Sequence, residues 1–235
     1  MQDPNAYPVR FWVDRPDSLN RLLNFPFLIG TIIKIILCLP FVIFLAILLP
    51  KAGGQYGEGT GVEVPDAVGY VGLAITVLWL IGPMVILFTG NYPRGLWDFL
   101  VGVQRVQART GAYIASQTDR YPPFSLGSDT DHSAHFEIDR PESLSRLLNF
   151  PIVGQVIKAI LCIPHFIVLI VVGIISILFL ILGQFAILLT GNFPGGMWGF
   201  NVGVAQWGYR VFAYIWSFTD RYPPFSLDTS HSPEK

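Results

Sequence analysis

The sequence predicts an all-α integral membrane protein made of two tandem parallel repeats. Two observations carry that prediction. Hydrophobic residues make up 52% of the 235-residue chain and charged residues 13%, about half the charge usual in soluble domains. The deficit sits in apolar runs at 27–50, 67–89 and 152–190. A bilayer core about 30 Å thick is crossed by roughly 20 apolar helical residues, so the first two runs have spanning length and the third is nearly twice that. The second observation is the octapeptide DRYPPFSL, present at 119–126 and again at 220–227.

The octapeptide marks the end of a larger duplication. DRPDSLNRLLNFP at 14–26 returns as DRPESLSRLLNFP at 139–151. Lys34, Cys38 and Pro40 match Lys158, Cys162 and Pro164, and TGNYP at 89–93 matches TGNFP at 190–194. Repeat one is therefore 1–126, followed by a polar linker at 127–134, repeat two at 135–227 and a polar tail at 228–235. The offset between copies falls from 124 at the cysteines to 101 at the TGN motif, so repeat one holds 23 extra residues.

Within each repeat the elements follow in order. Asp14 and Asp139, each with an early proline and a first-turn acid, read as caps of a short amphipathic entry helix. Spans about 27–50 and 67–89 follow in repeat one, separated by the glycine-rich loop of the insertion. Irregular backbone cannot face lipid with its polar groups unpaired, so the chain is expected to leave the membrane there. Repeat two is expected to make the same hairpin with spans about 152–172 and 174–190 and a turn near 173–176. One long tilted helix is the alternative. The first run starts too far in and is too long for a signal peptide, so it is expected to remain in the mature protein.

The segments at 95–117 and 196–218 are too polar or too aromatic for comfortable crossings and read as interfacial amphipathic helices. The total is four transmembrane helices, two per repeat, related by a pseudo-twofold along the membrane normal. Arg10, Arg15, Arg21, Arg94, Arg105, Arg109, Arg120, Arg140, Arg146, Arg210, Arg221 and Lys235 all fall on one side of the spans, whereas Lys51 stands beside Glu58, Glu63 and Asp66 on the other. Both termini are thus expected in the cytoplasm. Pro-Pro in the octapeptide ends each interfacial helix.

The residue types that could carry function are few. Lys34 and Lys158 stand about 12 Å down a helix from an entry proline, at 1.5 Å per residue. They read either as snorkelling contacts to anionic lipid or as charges lining an internal path. The runs contain no carboxylate to pair with them. Arg109 and Arg210 correspond, with lipid phosphate as the expected partner. Asp119-Arg120 and Asp220-Arg221 are expected to pair with Asp14-Arg15 and Asp139-Arg140, a structural clamp closing each repeat on itself.

His165, where repeat one has Phe41, reads as packing; His132 and His135 read as solvated linker; Cys38 and Cys162 read as buried thiols. No catalytic motif, cofactor motif or metal site emerges, and the glycine-rich loop lacks the closing Gly-Lys-Ser/Thr of a phosphate loop. A net charge of −1 gives no basic field for nucleic acid.

The string TGN[YF]P-x-G-[LM]-W, an aromatic helix and then DRYPPFSL resembles a bacterial membrane family known as a domain of unknown function. That resemblance spans both copies and implies a multi-pass protein of the bacterial cytoplasmic membrane, without an activity to carry over. Asn91 and Asn192 stand where the family often carries a basic residue. The expected function is a non-catalytic membrane scaffold or accessory subunit, contacting lipid and a membrane-protein partner or a second copy. The alternative is a small channel or transporter with a path between the repeats.

Overall fold

Each repeat breaks its first apolar run at the same cysteine. In the computed structural model, which describes residues 7–48, 66–128 and 131–229, helix α1 (Ile29–Leu37) stops at Cys38 and α2 (Leu39–Leu48) resumes at once. Repeat two does the same, with α5 (Val153–Leu161), then Cys162, then α6 (Ile163–Thr190). Pro40 and Pro164 stand in the first turn of the second helix, where a missing N–H costs nothing. Helix α3 (Asp66–Thr89) leads through the TGN turn to α4 (Arg94–Ile114), and α6 leads likewise to α7 (Gly195–Ile215). Gly90 and Gly191 close the preceding helices with φ of 76° and 79°, the left-handed cap that glycine adopts without strain.

Four expectations are corrected. The turn near 173–176 does not form: α6 is one continuous helix of 28 residues, about 42 Å at 1.5 Å per residue. Its only proline is at the start, and Gly173 costs a helix only about 1 kcal/mol. Repeat one divides the same element, because α2 begins where α6 begins and α3 ends where α6 ends, with the insertion between. The insertion's glycine-rich loop and Lys51 lie outside the described residues, as do 129–130 and 230–235. Four transmembrane helices are likewise not what appears. Among the described residues one helix, α6, is long and apolar enough to cross a membrane.

The entry helices are absent too: residues 14–24 and 139–149 are extended chain and turn. Their backbone donors are engaged elsewhere. The Asn20 side chain takes the N–H of Leu22 and Leu23, and the N–H of Leu19 reaches Gly191 at 2.8 Å. Finally, the fold is not wholly helical. Strands β1 (Val9–Val13) and β2 (Ala134–Ile138) pair antiparallel.

That small sheet defines the molecular symmetry. Phe11 faces Phe136, and Val9 and Val13 face Ile138 and Ala134. An offset of 125 maps each strand onto the other in that register, so a local twofold passes between the two phenylalanines. The strands are also exchanged: β1 of repeat one packs on α7 and β2 of repeat two packs on α4. The faces of α4 and α7 assigned to the membrane interface are largely occupied by protein, with Trp97, Val101 and Ala108 of α4 and Val202 and Tyr214 of α7 buried.

Candidate functional site: a duplicated lysine latch

Lys34 and Lys158 are completely buried, whereas Ile29, Ile32 and Ile36 around the first, and Val156, Ile157 and Ile160 around the second, are exposed. The usual amphipathic logic is inverted, polar side inward. The ammonium of Lys34 lies 2.6 Å from Asn24 Oδ1, 3.5 Å from Asp119 Oδ1 and 5.0 Å from the centroid of the Tyr113 ring. In repeat two, Lys158 lies 2.6 Å from Asn149 Oδ1, 3.3 Å from Asp220 Oδ1 and 5.1 Å from the Tyr214 ring. The carboxylate, the amide oxygen and the ring face together compensate a cation taken from water. The apolar runs themselves hold no such carboxylate. The partner comes from the octapeptide, folded back over the helix.

The octapeptide's other residues join the same closure. Asp119 also accepts from Asn24 Nδ2 at 2.8 Å and from the N–H of Asn20; Asp220 accepts from Asn149 Nδ2 at 2.8 Å and from the N–H of Ser145 at 2.6 Å. Tyr121 and Tyr222 donate to the carbonyls of Leu37 and Leu161, each at 2.9 Å, satisfying the open ends of α1 and α5. Phe124 stacks on Phe41 at 4.2 Å, and Phe225 on His165 at 3.8 Å. His165 Nδ1 accepts from Trp207 at 2.9 Å, in keeping with a packing role.

Arg109 and Arg210 are buried and turned toward protein. Arg109 donates to the carbonyls of Ser125 and Gly127, each at 2.9 Å; Arg210 donates to Ser226 at 3.2 Å and Asp228 at 2.9 Å. They fasten the end of each octapeptide and the residue after it.

The expected clamp is rearranged. Each repeat does close on itself, but Asp119 and Asp220 do so through the lysines. Arg120 pairs with Asp131 at 3.3 Å, and Asp14 approaches His135 at 3.5 Å. Arg15 and Arg140 instead reach into the opposite repeat, donating to the carbonyls of Phe193 (2.9 Å) and Tyr92. Arg10 adds a two-pronged pair with Asp139 at 2.6 and 2.7 Å.

Two residues preceding the strands complete the exchange. Tyr7, with its ring 5.8 Å from both Arg210 and Arg221, donates to the Arg221 carbonyl at 3.0 Å. His132 is its counterpart at an offset of 125: it is buried and its Nε2 is 3.3 Å from the Arg120 carbonyl. Burial holds the Tyr7 phenol well above its usual range and the His132 imidazole below its own, the latter helped by Arg109 and Arg120. The sequence reading placed His132 in solvated linker; its alignment with Tyr7 was the available signal. Asn24 and Asn149, the lysines' nearest partners, were also missed, although both stand in the repeated LLNFP.

These paired features are what two copies of one unit require. No curated protein and no solved structure matches the chain. The family described as Domain of unknown function (DUF4389) matches at residues 67–125 and again at 154–226. Each match runs through a TGN turn, the helix after it and nearly all of the octapeptide, so the chain belongs to this family and carries it twice.

Proposed function

We propose that this chain is a non-catalytic scaffold or accessory subunit of the bacterial cytoplasmic membrane, seated in lipid through α6 and the outer faces of α1 and α5, with both termini cytoplasmic. The observation that carries the reading is the inverted polarity of α5 and α6. Gln155, Lys158 and Gln184 are buried, while Ile157, Ile160, Ile167, Ile170, Ile174 and Leu178 are exposed. In water such a continuous apolar surface is an association or membrane site; against acyl chains it is at home. Anionic lipid headgroups and a membrane-protein partner, or a second copy, are the proposed neighbours.

A path along Lys34 and Lys158 draws no support from their surroundings, since each ammonium is enclosed by its own asparagine, aspartate and tyrosine. The test is alkaline carbonate extraction of membranes, followed by mild-detergent purification with mass spectrometry. The proposal expects retention in the pellet and stoichiometric co-purifying subunits or a homo-oligomer. Release into the supernatant would overturn it. So would lysine-dependent ion flux in proteoliposomes.

A further inference from the structure

The two halves differ in how they fill one interior space. Trp79 on α3 is fully buried, with its ring 5.6 Å from Phe212, 5.2 Å from Trp216 and 6.0 Å from Phe218. The repeat offset of 101 maps these four aromatics onto Leu180, Gly111, Ala115 and Gln117. Where one half is plugged by three rings packed edge to face around Trp79, the other has a cavity of about 230 Å³ lined by the four smaller counterparts. A Cβ added to Gly111 would meet nothing nearer than the Tyr209 hydroxyl at 3.8 Å. The space is real room and not a tight helix crossing.

The cavity also has polar groups that the plugged half lacks. Tyr209 stands beside the local twofold, its ring 5.1 Å from both Phe11 and Phe136; its counterpart is Ala108. Asn201, whose counterpart is Leu100, accepts from Ser176 at 2.5 Å through its side-chain oxygen. The Asn201 amide nitrogen and the Tyr209 hydroxyl line the cavity or its edge and make no hydrogen bond among the described residues. Both can donate, so each is open to an acceptor that enters the cavity. Ser176 is thirteen residues from the start of α6 and fourteen from its end, so the site lies at mid-depth of the proposed span.

We infer that this cavity binds a membrane-soluble planar ring carrying a carbonyl oxygen, a compound of the quinone class. The plugged half fills the equivalent space with aromatic rings. The donors call for an acceptor, and the depth calls for a ligand dissolved in lipid. Cavities of about 150 Å³ hold a benzene ring, so this one accommodates a single substituted ring with its tail left among acyl chains. The inference rests on the membrane reading above for access, and on the broken symmetry for the site.

The test uses the full chain in lipid nanodiscs, titrated with a decyl-substituted benzoquinone and read by isothermal titration against empty nanodiscs. Saturable binding at one site per chain is expected. Ala115→Trp, which copies Trp216 of the plugged half, should weaken binding at least tenfold without lowering the melting temperature. Asn201→Leu, copying Leu100, should weaken it about tenfold, the worth of one hydrogen bond. Decylbenzene should bind about tenfold more weakly than the quinone. Absence of saturable binding, unaltered binding by Ala115→Trp, or equal binding of decylbenzene would each overturn the inference. Release of the chain by carbonate strikes the membrane reading; a membrane-retained chain that ignores the probe strikes only this site.

Discussion

Lys158 and Asp220 are 62 residues apart and their charged atoms meet at 3.3 Å, with the lysine wholly buried. The same pair recurs as Lys34 and Asp119 at 3.5 Å. In each repeat the octapeptide delivers an acid to a lysine that would otherwise be an unpaired charge in an apolar setting.

Removing the acid should therefore be worse than removing both charges. Asp220→Ala is expected to cost about 3–5 kcal/mol, the usual penalty for stranding a buried charge. Lys158→Met combined with Asp220→Asn should recover much of it. Thermal melts in detergent check this; a double variant as unstable as Asp220→Ala would contradict it.

The exchange of arms predicts that the halves hold together without their connection. A protease site placed at 129–130 and cut should leave two fragments that co-purify. Arg15→Ala and Arg140→Ala each remove a charged hydrogen bond across the repeats, worth about 1.5–3 kcal/mol. Together they should let the cut fragments separate on size-exclusion chromatography.

His132 should make stability depend on pH. Its folded-state pKa is lowered by burial, so the unfolded chain takes up a proton first as pH falls. Full stability is expected above the ordinary histidine value near 6.5, declining as pH drops from there through the lower folded value. His132→Tyr, which copies Tyr7, should flatten the melting temperature between pH 7 and pH 5.

Gly30 should not tolerate a side chain. A Cβ there would sit 2.6 Å from the Phe25 nitrogen and 2.7 Å from the Leu23 oxygen, backbone atoms of the turn holding Asn24. Gly30→Ala is expected to destabilise by about 1–3 kcal/mol through this overpacking, measured by thermal melt.

Much of this arrangement was legible in the residues. The repeated strings located both copies and singled out both lysines, but not the break at Cys-x-Pro, and α4 and α7 end at Ile114 and Ile215, ahead of the Pro-Pro expected to end them. What was not legible depends on contacts across the chain. VRFWV and AHFEI are five-residue strands separated by nearly all of repeat one, with no short turn between them to announce a hairpin. Asp119 is 85 positions from Lys34, and spacing alone cannot bring them together. The insertion in repeat one points to a loop in repeat two as well, and the continuous α6 follows the alternative of one long helix. The entry segments carried good capping residues, yet Asn20 and the opposite TGN turn took the backbone donors a helix would have used.

The central claim is that lipid covers the outer surface of α6. A spin label at Ile174, which is 58% exposed, tests it most directly in nanodiscs. The account predicts strong relaxation by molecular oxygen and almost none by a water-soluble nickel chelate. Ready access by the nickel chelate, or a label shielded from both, would contradict it.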